Sequence, residues 1–388
     1  MEPATGFLER GEGYRVFYRI WKDAAVPSKG VVLGFHGMSE HSMRYHDFAC
    51  HLASQGYLFC MCDHRGNGET WLANKETHPV FADAGPTLWH AMLEDSHALR
   101  ELVMSGPDGL GPNDTPLPVH VFGHSYGSML AQAYIVGYGK GVSSACFTGP
   151  AARAPAALRA AFNIGLGPFL NKADPEAHSP FYHGIVDGSF NKKFNGLREK
   201  AGEGETTGFE WLNSDSSMVD VAVADPLFSV SPSPNRHYQS LLSLTKFLSD
   251  KKVFRYASPV TVQPMSPGLS EALDRQAKEQ DLISSANADG VRVLPVPIPV
   301  LYLSGKDDPV GGFGKNCMRQ VKWLTAMGWN VSAKVYPGMR HEILLEPRKA
   351  EVYTDIMAHL EAVERQGSIE GVVSLGKAKV TERERIRE

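Results

Sequence analysis

The strongest constraint on this chain is a rhythm that is kept, broken and resumed. Arg15 to Ile20 and Gly30 to Phe35 read as strands, and Tyr45, Phe48, Ala49, Leu52 and Ala53 then fall at helical spacing before Gly56 closes the turn. Tyr57 to Asp63 is a strand again, and Trp89, Met92, Leu93, Leu99 and Val103 mark the inner side of a helix. Pro118 to Phe122, a helix burying Met129, Leu130, Ala133 and Tyr134, and the strand Val142 to Phe147 continue the pattern. Alternation of this kind makes a mostly parallel sheet with helices on both faces, so the expected class is α/β. It stops at Thr148-Gly149-Pro150 and resumes only at Pro299 to Ser304, about 150 residues later. A helix carrying Cys317, Val321 and Leu324, the strand Val331 to Tyr336 and a helix opened by Pro347 complete it.

The division that fits is one sheet domain made from residues 12–150 and 299–366, a cap inserted at 151–298 and a charged tail at 367–388. Inside the insertion, Gly165, Gly167 and Pro168 break the apolar stretch Leu158 to Leu170, which reads as cap core and pocket lining rather than a lipid-facing surface. A helix is expected at His237 to Leu248.

Composition excludes several classes. With 43% hydrophobic and 21% charged residues in 388, the chain can bury a full core and is not a disordered tract. A net charge of -4 offers no cationic footprint for a phosphate backbone, so no nucleic-acid partner is expected. The five cysteines are odd in number, and Cys60 and Cys62 should share one face of a strand, which reads as reduced core thiols. Met1 to Arg15 has neither a basic nor an apolar leader segment, and no apolar run reaches membrane-spanning length; a cytoplasmic protein is expected. His36, His41, His46 and His51 recur every five residues, a spacing that scatters them around a helix, and no metal site is expected. Gly66-Asn67-Gly68 lacks the third glycine of a dinucleotide loop.

The chemistry-bearing pattern is Gly123-His124-Ser125-Tyr126-Gly127, the single G-x-S-x-G of the chain. Its weight comes from context: it follows an apolar strand and opens an amphipathic helix, as the strained turn of a nucleophile elbow requires. A serine hydroxyl needs a base, and the base an orienting carboxylate. His341 supplies the first, just past the strand ending at Tyr336, and Asp307 or Asp308, just past the strand ending at Ser304, supplies the second. Spacing does not choose between the two aspartates. An oxyanion also needs donors: the backbone N–H of Tyr126, after the nucleophile, and that of Met38, in the turn after the early buried strand.

Three blocks, His36-Gly37-Met38-Ser39-Glu40-His41-Ser42-Met43-Arg44-Tyr45, Asp63-His64-Arg65-Gly66-Asn67-Gly68 and the elbow itself, together resemble the monoacylglycerol lipase and lysophospholipase family of serine α/β-hydrolases. Ser304-Gly305-Lys306-Asp307-Asp308-Pro309-Val310 and Tyr336-Pro337-Gly338-Met339-Arg340-His341-Glu342 resemble its bacterial members. The resemblance covers about residues 12–150 and 295–365. It implies the α/β-hydrolase fold with a large inserted cap, and a triad of Ser125, Asp308 and His341 with an oxyanion hole at Met38 and Tyr126. It also implies cofactor-free cleavage of carboxylic esters, often lipid monoesters; the expected partner is a small-molecule ester with an apolar acyl chain, and contact with lipid through the cap is kept open. The stretch Tyr238 to Gly290 is longer than the resemblance implies. Other readings kept open are an esterase or lactonase acting on a non-lipid substrate and a non-catalytic receptor for an apolar ligand.

Overall fold

A strand covered on both faces has no position from which a side chain can reach water. Four strands of this chain meet that description, being buried at every residue: β3 (Gly30–Phe35), β4 (Tyr57–Cys62), β5 (Val119–His124) and β7 (Val300–Gly305). They belong to an eight-stranded sheet completed by β1 (Ala4–Glu9), β2 (Arg15–Trp21), β6 (Val142–Thr148) and β8 (Val331–Tyr336) in the order β1-β2-β4-β3-β5-β6-β7-β8. The β1–β2 and β2–β4 pairs are antiparallel and every other pair is parallel. The computed structural model describes residues 1–106, 109, 116–151, 164–165, 167–178, 180–186, 188–228, 233–255 and 298–370.

Period-two alternation sorts the strand side chains between two cores. Val31, Leu33, Phe35, Leu58, Cys60, Cys62 and Val121 face the helices α3 (Trp89–Ser105) and α4 (Tyr126–Gly137). Val32, Phe59, Met61 and Phe122 face α1 (His46–Ser54) and the C-terminal α12 (Lys349–Glu370). The α/β class read from the sequence is therefore the observed one. Between α1 and α3 lies the short α2 (Gly68–Asn74). All five cysteines are free thiols, four of them buried, with Cys60 and Cys62 on one face.

Two boundaries differ from the sequence reading. The sheet begins at Ala4, ahead of residue 12: β1 is an edge strand with no fully buried residue, so its apolar pattern is weak, and it is held by ladder pairing to β2 and by Phe7 stacking edge-on against Phe17 at 5.3 Å. At the other end α12 continues past residue 366 to Glu370. The tail at 371–388 lies outside the described residues.

The insertion contributes α5 (Gly167–Leu170), α6 (Pro180–Val186), α7 (Leu197–Ala201), α8 (Ser216–Ala224), α9 (Asn235–Ser249) and α10 (Lys251–Arg255), and the chain then returns through α11 (Lys315–Thr325) between β7 and β8. The helix expected at 237–248 is α9. It is anchored on the sheet domain, because Leu244 and Phe254 join the core under α3 and α4, Trp89 Nε1 donates to Ser243 Oγ at 3.1 Å, and Tyr126 OH lies 3.0 Å from Ser240 Oγ. Phe194, Trp211, Leu212 and Ala222 form a smaller core of their own. Of the stretch read as cap core, Leu170 is buried but Ile164 and Phe169 are 77% and 72% exposed, which corrects that expectation for these two. Leu158, Phe162, Leu166 and residues 256–290 lie outside the described residues.

The sheet domain buries His36, His64, His120 and His124. Burial disfavours the imidazolium and pushes His36, His120 and His124 down to about 3, and His64 well below 6.5. Unfolded, each would protonate near 6.5, so the stability they confer as neutral rings is present above that pH and lost as pH falls toward 3. His120→Asn should therefore lessen the steepness of unfolding free energy against pH below 6 by up to about 1.4 kcal/mol per pH unit, read from denaturant titrations at several pH values. An unchanged slope would refute the assignment.

Candidate active site

Ser125 sits between the last residue of β5 and the first of α4 with φ 53° and ψ -121°, in the left-handed region that a serine rarely adopts. The strain is held by hydrogen bonds: Ser125 N–H donates to Thr148 O at 3.0 Å, and Ser125 O accepts from Ser128 N at 3.0 Å and Ser128 Oγ at 2.5 Å. The flanking glycines are required by backbone approach. A β-carbon on Gly123 would lie 2.5 Å from Gly127 O, and one on Gly127 would run into the carbonyl oxygens of Phe35 and His36. The elbow is thus seated directly on the end of β3, beside the loop expected to supply an oxyanion donor.

His341, on the loop after β8, places Nδ1 3.0 Å from Asp308 Oδ1, on the loop after β7; both side chains are buried. Asp308 Oδ1 also accepts from Val310 N at 2.9 Å. The two aspartates differ in their surroundings, because Asp307 turns outward, a third exposed, to an ion pair with Lys193 at 2.5 Å. Burial of His341 opposes its protonation, but the Asp308 carboxylate, by charge and hydrogen bond, with Glu342 and Glu40 adding to it, more than offsets burial and raises its pKa. The neighbouring His124 ring, 4.8 Å away, is kept neutral by burial and by His341. It accepts or donates at Nδ1 to Thr148, 3.1 Å away.

The loop after β3 is fixed from several sides. His36 Nε2 accepts from His64 N at 2.8 Å, so the proton is on Nδ1, which donates to Gly37 O at 2.8 Å. Glu40 accepts from Gly37 N at 2.5 Å, Tyr45 OH at 2.7 Å and Arg44 Nε at 3.1 Å, and Arg44 also pairs with Glu342 beside His341. His41 Nε2 meets Asp225 Oδ2 of the insertion at 2.8 Å. A β-carbon on Gly37 would be 3.3 Å from Ser125 Cβ, which measures how closely this loop approaches the serine. Tyr126, first residue of α4, has an N–H that helix geometry leaves unpaired, and Met38 lines the same cavity. Arg65, by contrast, is occupied with Asp95 of α3 at 2.7 Å.

Ser125, His341, Met38 and Tyr126 line one cavity of about 120 Å³ that is partly open to solvent. Its wall is apolar and aromatic, including Phe190, Phe209, Trp211, Phe228 and Leu241 from the insertion. The sequence reading gave no role to Glu40, Arg44 and Glu342; the Glu40/Arg44 spacing of four was the available signal. Among the described residues no group of three or more His, Cys, Asp or Glu is arranged to hold a metal ion, and no helix is long and apolar enough to cross a membrane.

A family model described as serine aminopeptidase, S33 (Hydrolase_4), matches residues 26–262, more than half of the chain. A monoacylglycerol lipase of Mycolicibacterium smegmatis is 35% identical over 143 residues, which is 37% of this chain and 45% of that protein. A monoglyceride lipase of Homo sapiens is 29% identical over 124 residues, 32% of this chain and 35% of that protein. The chain thus spans less than half the length of the curated relatives it matches. Among solved structures, a carboxyl esterase from Bacillus coagulans in complex with glycerol has a TM-score of 0.71 at 24% identity, covering 94% of this chain and 99% of its own. That likeness establishes the α/β-hydrolase fold.

In a histidine-selective NMR titration, His341 should protonate above 6.5 while His36 and His124 remain neutral down to about pH 4. In Asp308→Asn, where the carboxylate charge is gone, the His341 midpoint should fall; a midpoint that stays in place would show that Asp308 does not govern it.

Proposed function

The chain belongs to the serine aminopeptidase S33 (Hydrolase_4) family of serine α/β-hydrolases, and from that premise we propose that it cleaves carboxylic esters with Ser125 as nucleophile. The substrates proposed are lipid monoesters of the monoacylglycerol or lysophospholipid type. The observation that carries the reading is His341, buried against Asp308 and opening on the same cavity as Ser125.

In this mechanism His341 takes the hydroxyl proton as Ser125 Oγ attacks the ester carbonyl. The negative charge that develops on the carbonyl oxygen is received by the backbone N–H groups of Met38 and Tyr126. Collapse of the tetrahedral intermediate breaks the ester C–O bond, and the imidazolium, stabilised by Asp308, returns the proton to the departing alcohol. Water, deprotonated by the same imidazole, then attacks the acyl-serine; its collapse releases the carboxylic acid and restores Ser125. An apolar, aromatic wall suits an acyl chain, and the likeness of 143 residues to a protein named monoacylglycerol lipase supports a lipid alcohol ester. In the same reading residues 151–298 act as a cap over the acyl site, and Ile164, Phe169 and Phe181, exposed on it, are where a lipid aggregate would be met.

Ser125→Ala should lower turnover of a monoacylglycerol by up to about 10⁶-fold and abolish labelling by a fluorophosphonate, with the thermal transition unchanged. Near wild-type turnover would overturn the assignment. Asp308→Asn should cost about 10⁴-fold in kcat, whereas Asp307→Asn, which removes only a surface ion pair, should remain within about 3-fold. Because His341 acts when neutral and its pKa is raised, kcat/KM should fall on the acid side of a midpoint above 6.5.

A further inference from the structure

His341 occupies a loop in which no helix or sheet ladder fixes the backbone. Buried N–H groups in such a loop need acceptors, and these come from the insertion. His341 N donates to Trp211 O at 3.3 Å and Glu342 N to Leu212 O at 2.8 Å. Both flanks of this contact are clamped. The Arg340 guanidinium donates through Nη1 to Glu210 O at 2.6 Å and to Asn213 O at 2.7 Å. Glu346, only 2% exposed, accepts from Arg340 N at 2.7 Å, from Ser214 N at 3.0 Å and from the Ser214 hydroxyl. A buried carboxylate is costly unless its oxygens are satisfied, and here every donor belongs to one of the two segments being joined.

The insertion side is itself anchored. Trp211 N donates to Asn191 Oδ1 at 3.1 Å, and the buried Glu210 carboxylate accepts from Thr207 N at 2.6 Å, Gly208 N at 3.1 Å and Asn191 Nδ2 at 2.7 Å. The Trp211 ring lies with its centroid 5.0 Å from that of His341. Residues 210–214 therefore form a backing for the histidine loop.

We propose that Glu346 and Arg340 are positioning residues for His341, clamping residues 210–214 to the histidine loop so that the imidazole stays against Asp308 and open to Ser125. The inference rests on the reading of His341 as general base. The Asp308 bond restrains one ring nitrogen; the clamp restrains the backbone from which the ring projects. A displacement of about 1 Å in such a group costs on the order of 10²-fold in rate.

The test is a double-mutant cycle on a p-nitrophenyl ester. Glu346→Ala should lower kcat about 10²-fold with KM within about 3-fold and an unchanged fold, and should move the acid limb of kcat/KM downward as the Asp308 contact loosens. In His341→Ala assayed with added imidazole, which supplies a base that needs no loop, introducing Glu346→Ala should change the rate by less than about 2-fold. Equal losses in both backgrounds would mean that Glu346 supports general packing, and wild-type kcat in folded Glu346→Ala would mean no role; either overturns the proposal. If Glu346→Ala does not fold, Arg340→Gln runs the same cycle with the same two deciding outcomes. Wild-type turnover in His341→Ala without imidazole would instead overturn the assignment of the base itself.

Discussion

Ala145 lies opposite Val300, Cys146 opposite Leu301, Phe147 opposite Tyr302 and Thr148 opposite Leu303, and on this parallel pairing of β6 with β7 the rest of the structure depends. It brings together two parts of the chain that the insertion separates, and it does so in register, so that the carboxyl ends of β5, β6, β7 and β8 emerge at one edge of the sheet. The ladder even continues past the strands: Ser125 N reaches Thr148 O, and Gly149 N reaches Leu303 O at 2.9 Å. Gly149 shows how little slack remains, since a β-carbon there would lie 3.0 Å from the His341 ring. Sheet register, a property of the whole core, thereby sets where the segments bearing Ser125, Asp308 and His341 leave the sheet.

The charges buried near this edge are joined into sets. Asp63 accepts from Ser42 N and Glu69 N, both at 2.8 Å, and pairs with Arg19 at 3.4 Å; Glu40, Arg44 and Glu342 form another set. Removing such ions from water is expensive, and replacing them with apolar side chains often costs no stability. What they offer is geometry, because each ties together loops that have no ladder of their own. Arg44 spans the loop after β3 and the loop after β8, the two that flank Ser125.

Much of this was legible in advance because it follows from local pattern. Gly30–Phe35 declared itself through an apolar run, Val331–Tyr336 through alternation, and the elbow through glycines that a tight turn demands. What escaped notice depended on pairing or on side-chain direction rather than on local pattern. β1 owes its existence to β2, and its own alternation is too weak to announce a strand. Asp307 and Asp308 are adjacent and chemically alike, so spacing left them equal where the resemblance favoured Asp308; their side chains take different directions, toward Lys193 and toward His341. Glu346 and Arg340 carry no local signal of their contacts with the insertion, whose residues lie about 130 positions earlier.

The stitching of residues 210–214 to the histidine loop bears on how chains of this kind can be recombined. An exchange of the whole stretch between β6 and β7 would transplant the insertion's share of the cavity wall and, with it, the backbone carbonyls of Trp211 and Leu212 that receive His341 and Glu342. A graft that supplied a better-shaped acyl tunnel but a different peptide course at this point would arrive with its histidine loop unbacked. Crossover points for chimeras therefore belong inside the insertion, leaving residues 190 to 214 with the sheet domain that they brace.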